Sequence, residues 1–145
     1  MKKILYSFLL FASATLFAQK NTAVKFAVAN DIVGTVDMFS TRQNTVQSMN
    51  VYKTAGNLPQ NLKKFNYLAD NGLTEFKIKK GYEGLDRVTL AQVNEQYGLA
   101  KNTPVFIEGY EFTNPDTKVY SDILAKIEVK DYNGKKSLFI ETKVK

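Results

Sequence analysis

The chain has 145 residues, a formal charge of +6 and no cysteine, histidine or tryptophan. The missing histidine removes Ser-His-Asp and Cys-His catalysis, His-ligated zinc and the usual general base near neutral pH. The missing cysteine removes disulfide staples and a lipidated-cysteine anchor, so a hydrophobic core must hold the fold unaided.

At the start, Lys2 and Lys3 form a positive n-region, Ile4 to Phe17 an apolar h-region, and Leu16-Phe17-Ala18 precedes Gln19. This is the pattern of a secretory signal peptide over residues 1–18, cleaved after Ala18. An apolar run of about 14 residues makes roughly 21 Å of helix, short of the ~30 Å hydrocarbon core of a bilayer. The expected mature chain, residues 19–145, is long enough for one domain with its own core. Without Lys2 and Lys3 it is mildly basic, with acids interspersed among the lysines. That is a solvated surface, not a nucleic-acid stripe. The expectation is an exported protein, periplasmic or at the cell surface, with no nucleic-acid partner and no transmembrane segment after cleavage.

Val24, Phe26 and Val28 alternate with Lys25, Ala27 and Ala29, the period of a half-buried strand. Asn30-Asp31 signals a turn, and Ile32 to Phe39 reads as the returning strand of a hairpin. Ser40 to Gln47 is polar and reads as a loop or edge, before a short strand around Met49, Val51 and Tyr52. Asn57 and Pro59 open a helix in which Leu58, Leu62, Phe65 and Ala69 share a face, and Asn71-Gly72 closes it. Leu73 to Lys80 follows as a strand.

Thr89-Leu90-Ala91-Gln92 is a capping box, the clearest helix start in the chain. Leu90, Val93 and Tyr97 then lie on one face and Gly98 ends the helix. Pro104 starts the apolar run Val105-Phe106-Ile107, expected to be a central strand buried on both faces. Asn114-Pro115-Asp116 is a turn, and Val119 to Leu124 reads as a short helix or irregular chain. Ala125, Ile127 and Val129 alternate with Lys126, Glu128 and Lys130. Asn133-Gly134 carries a type I′ hairpin signal, and the closing strand puts Leu138, Ile140, Thr142 and Val144 on one face. An echo links Met49–Lys53 and Phe76–Lys79 to Ile127–Lys130 and Phe139–Lys143. It reads either as a duplication or as two hairpins meeting the same demand for β-propensity and turn chemistry.

The chemistry-bearing candidates are few. Glu108 and Glu111 flank Gly109-Tyr110, and paired carboxylates can hydrolyse glycosides, but no tryptophan supplies a sugar-stacking floor. Asp131-Tyr132-Asn133-Gly134 and Asn114-Pro115-Asp116 lack the further oxygen ligands of a calcium loop, and Lys135 and Lys136 repel a cation. Gly134-Lys135-Lys136-Ser137 lacks the upstream glycine of a phosphate loop. No cofactor is implied. Tyr82, Tyr110, Tyr120 and Tyr132 fall near turns, and tyrosine is favoured where surfaces meet; the alternative for each is that it covers an edge of the core.

The C-terminal third resembles the plug domain of TonB-dependent outer-membrane receptors. Pro104-Val105-Phe106-Ile107-Glu108-Gly109 is similar to that family's first strand, Ile127-Glu128-Val129 to its second element, and Asn133-Gly134 with Ile140-Glu141-Thr142-Lys143 to its third. Glu108 stands where the family has Asp, and the small-residue segment with its Tyr-Gly is absent. The resemblance implies a small sheet-based envelope module without catalysis of its own. The fold expected is α+β, a mixed sheet of five to seven strands with two helices on one face. The expected function is non-enzymatic binding of a cell-envelope protein, through a sheet edge or the loops around Glu108, Tyr110, Glu111 and Tyr120. A carboxylate-dependent hydrolase and a carrier of a small apolar ligand are the alternatives.

Overall fold

A computed structural model describes residues 19–143, so the expected leader and the end of the last strand at Val144 lie outside the described residues. Among the described residues the chain forms ten strands and two short α-helices. In order these are β1 (Phe26–Ala29), β2 (Ile32–Thr35), α1 (Val36–Ser40), β3 (Val46–Tyr52) and β4 (Leu73–Ile78). There follow β5 (Arg87–Thr89), α2 (Leu90–Gln96), β6 (Val105–Ile107), β7 (Tyr110–Phe112), β8 (Lys118–Tyr120), β9 (Lys126–Tyr132) and β10 (Lys135–Glu141). The class is α+β, mostly β.

The strands form two sheets where the sequence suggested one. The first has six strands in the order β3-β4-β1-β2-β8-β5, and the second four in the order β7-β6-β10-β9. The two share a plan. In the first, β1 pairs antiparallel with β2 and parallel with β4, and β4 antiparallel with β3. In the second, β6 pairs antiparallel with β7 and parallel with β10, and β10 antiparallel with β9. Register repeats too: Val28 lies opposite Glu75 and Glu75 opposite Asn50, just as Phe106 lies opposite Phe139 and Phe139 opposite Glu128. The echo in the sequence thus falls on equivalent strands, with Met49 standing where Ile127 stands.

The hairpins follow from local chemistry. Asn30-Asp31, Glu108-Gly109 and Asn133-Gly134 each take positive φ at both central residues, as a two-residue I′ turn requires. β1 is buried at every position, not on one face, because it is an interior strand packed on both sides. On one side Phe26 meets Tyr110 and Phe112 of the second sheet edge-to-face, with ring centres 5.1 and 6.1 Å apart. The opposite face carries Phe76 under the ring of Phe39 from α1, stacked at 4.5 Å.

Several expected elements differ. β2 stops at Thr35 because the Thr35 hydroxyl accepts the Met38 N–H (3.2 Å) and caps α1, turning Met38 and Phe39 into the core. The helix expected after Asn57 is instead 3-10 turns at Ala55–Asn57 and Gln60–Leu68, the latter kinked at Phe65 and without a side-chain cap. Leu58, Leu62, Phe65 and Leu68 are still buried. The asparagines here are weak helix formers, and Asn61 spends its amide on Glu75 (3.0 Å). Residues 119–124 are the end of β8 and a 3-10 turn, Ser121–Ile123, with Val119 buried between strands.

The capping box of α2 forms: the Thr89 hydroxyl accepts the Gln92 N–H (3.1 Å) and the Gln92 side-chain Oε1 accepts the Thr89 N–H (2.9 Å). Tyr97 is not on its buried face but 42 % exposed, since the helix ends at Gln96. Asn94 is buried instead, its amide donating to the carbonyls of Lys101 (3.1 Å) and Thr103 (2.8 Å) and tying α2 to the approach of β6. Among the described residues no helix is long and apolar enough to cross a membrane.

Candidate interaction surface

Equivalent strands β3 and β9 each end a sheet. An edge strand presents unpaired backbone donors and acceptors, and native proteins normally blunt it with charge, proline or a bulge. β9 is blunted by charge. Lys126, Glu128, Lys130 and Asp131 occupy four of its seven positions, and Glu128 accepts from Lys126 (2.9 Å) and Lys130 (3.1 Å). Hydrogen bonding to Lys126, then to Lys130, holds the Glu128 carboxyl below its ordinary range, and Glu128 in turn raises Lys126.

β3 reads Val46-Gln47-Ser48-Met49-Asn50-Val51-Tyr52 and holds no charged residue. A bulge between Val46 and Ser48 perturbs one end, and the remaining register to β4 is regular from Ser48 to Tyr52. Met49 lies opposite Phe76 and Val51 opposite Thr74, so both project on the face that α1 covers further in. That cover stops short: Met49 is 58 % and Val51 59 % exposed. Ser48 and Asn50 alternate to the other face. The result is an edge with an apolar side, a polar side and nothing to repel an incoming strand.

The residues singled out from sequence occupy three settings. Glu108 is the first turn residue between β6 and β7 at φ 52°. Its carboxylate accepts from the Asn21 amide (2.9 Å), the Thr142 N–H (2.8 Å) and the Thr142 hydroxyl (3.2 Å), while its own carbonyl accepts the Asn21 N–H (2.8 Å). It clips the start of the described chain to its end. Gly109 completes that clip, because a Cβ there would collide with the Gln19 carbonyl.

Tyr110 and Tyr120 are core residues, 2 % and 3 % exposed. Tyr110 packs on Phe26, and Tyr120 packs on Phe39 and donates to the Ala29 carbonyl (3.3 Å). Burial raises the hydroxyl pKa of both.

Glu111 is exposed and lines an open cleft of about 710 Å³, with Asp31, Lys64, Tyr67, Asp116 and Lys118 around it. Burial pushes the Tyr67 hydroxyl up to about 12, partly offset by its hydrogen bond to Thr117. Glu108 and Glu111 therefore line separate clefts, and neither cleft contains the other's carboxylate. Among the described residues no group of three or more acidic side chains is placed to hold a metal ion.

The β3 edge escaped residue-by-residue reading because no side chain in it carries distinctive chemistry. Its signal is a deficit: from Met38 to Ala69 the chain holds Arg42, Lys53, Lys63 and Lys64 but no acid. No protein-family model, curated protein or solved structure matches the chain.

Proposed function

We propose that this chain is an exported, non-enzymatic interaction module of the cell envelope, working in the periplasm or at the cell surface, that binds another polypeptide as an added strand on β3. The carrying observation is the uncharged β3 edge with Met49 and Val51 exposed, beside a topologically equivalent β9 that is blunted by charge. Strand addition draws affinity from main-chain hydrogen bonds and specificity from alternate side chains, so it needs no distinctive motif in the receptor. The basic n-region and apolar stretch of residues 1–17 support export.

The test is capture by the tagged mature chain, residues 19–145, from envelope extract of its own source, run in parallel with Val51→Lys and with Lys130→Ser on β9. A stoichiometric protein retained by the parent and by Lys130→Ser but lost by Val51→Lys is the expected result. Equal recovery by all three would sink strand addition at β3.

A second reading is a small-ligand carrier, favoured by the cleft between Tyr67 and the Thr113–Lys118 loop. Its mixed acidic and basic lining suits a polar ligand better than an apolar one. Native mass spectrometry of the purified mature chain checks it, through a reproducible added mass lost on denaturation.

A further inference from the structure

Resting on that reading, we infer the chemistry of the strand that β3 accepts: an extended segment in which apolar and acidic side chains alternate. Three observations converge on it. First, the cations around the edge outnumber the acids and are uncommitted. Lys53 follows β3 directly, Lys77 lies opposite Ser48 on β4, and the Lys79 N–H donates to the Thr45 carbonyl (2.8 Å) beside the start of β3, with Lys80 next in chain. All four are exposed, and none makes a salt bridge among the described residues. The one acid of β4, Glu75, accepts from the Asn61 amide and keeps its charge on the side of Asn50, against four lysines.

Second, these charges flank the edge: Lys77, Lys79 and Lys80 stand towards its start and Lys53 at its end. A seven-residue strand spans about 23 Å, and an added strand would lie about 4.8 Å from β3 and roughly 10 Å from β4. A lysine side chain on β4 spans part of that gap, and an acid reaching back from the added strand brings the two charges inside the Debye length of about 8 Å at physiological salt, where their attraction survives screening.

Third, register sorts the two faces. Lys77 lies on the same face as Ser48 and Asn50, whereas Met49 and Val51 lie with Phe76 on the other. An incoming strand has period two. Its apolar residues would cover Met49 and Val51, and its acids would stand over the polar side towards Lys77.

A second copy of this chain is the poorer occupant on the same grounds. Two β3 edges brought together would juxtapose two sets of uncompensated lysines, and the chain is basic overall.

The experiment uses the mature chain and two synthetic nine-residue peptides, one alternating valine with aspartate and the other valine with lysine. Binding is followed at low salt by titration, and amide hydrogen exchange locates it. The aspartate peptide should slow exchange across 46–52, bind about tenfold or more tightly than its lysine twin and weaken as salt is raised. The double variant Lys53→Glu, Lys77→Glu should shift preference towards the lysine peptide. Twins that bind equally at β3 would overturn the acidic-partner inference while leaving strand addition standing. If neither peptide protects β3, strand addition itself fails. Protection of 46–52 that rises with protein concentration alone would identify a second copy as the occupant and overturn the inference.

Discussion

The unit β2-β1-β4-β3 and the unit β7-β6-β10-β9 have one topology and one register, yet they end differently. The second closes its edge pair with a two-residue turn at Asn133-Gly134, whereas the first spends residues 53–72 on a 3-10 excursion that buries Leu58, Leu62, Phe65 and Leu68. The second clips its inner hairpin through the Glu108 carboxylate, whereas the matching turn at Asn30-Asp31 carries the exposed Asp31–Lys64 ion pair (3.3 Å) to the 3-10 excursion. The second lines its edge with an ion-pair ladder, whereas the first leaves Met49 and Val51 bare. The lesson is that backbone topology does not decide how an edge strand is protected: equivalent edges carry different side-chain charge.

The largest effect is expected where the units join. Phe26→Ala removes the ring that both Tyr110 and Phe112 pack against, and should cost about 3–5 kcal/mol by urea denaturation. A loss below about 1 kcal/mol would mean that the sheets do not depend on each other.

Next comes the clip. Glu108→Gly keeps the positive φ but deletes the carboxylate, orphaning the Thr142 N–H, and should cost about 1–3 kcal/mol. Asn30→Gly at the matching turn should change stability by only a few tenths of a kcal/mol, since both residues accept that backbone. Equal costs at the two turns would erase this difference between the units.

Alkaline unfolding tests the packing around the cleft. Tyr67 titrates near 10 when unfolded and about 12 when folded, so its contribution is complete below pH 10 and is lost as pH rises towards 12. Tyr110 and Tyr120 are raised in the same direction and add to the slope. Melting temperature should therefore fall over that window, less steeply in Tyr67→Phe.

The smallest stability changes belong to the edges, where the change in association is greatest. Lys126→Ser, Glu128→Ser and Lys130→Ser together should leave stability within about 1 kcal/mol yet give β9 an unprotected edge, seen as concentration-dependent oligomers by light scattering. Met49→Lys should shift stability by no more than about 0.5 kcal/mol. A stripped β9 that remains monomeric would break the argument that charge is what separates the two edges.

Local chemistry made much of this molecule legible in sequence. The Asn30-Asp31 and Asn133-Gly134 turns, the capping box at Thr89 and the fully buried Val105–Ile107 strand are each dictated by a few neighbouring residues, and each forms. Reading failed where the deciding partner is distant in chain. The alternation of Phe26 and Val28 with Ala27 and Ala29 reveals no second sheet above them, and position beside turns leaves Tyr110 and Tyr120 open between an exposed edge and the core, where their rings lie. The 3-10 excursion has helical spacing, but its asparagines weaken the helix and it has no side-chain cap, so spacing alone could not place its backbone.

The sequence by itself determined the α+β class, the hairpin turns, the helix cap and the exclusion of histidine and cysteine chemistry, because each depends on residues within a few positions of one another. Tertiary structure alone decided that there are two sheets and that β3 and β9 are equivalent edges. It also decided that Glu108 ties Asn21 to Thr142. These depend on pairings made across the chain, whose energetics no local pattern encodes.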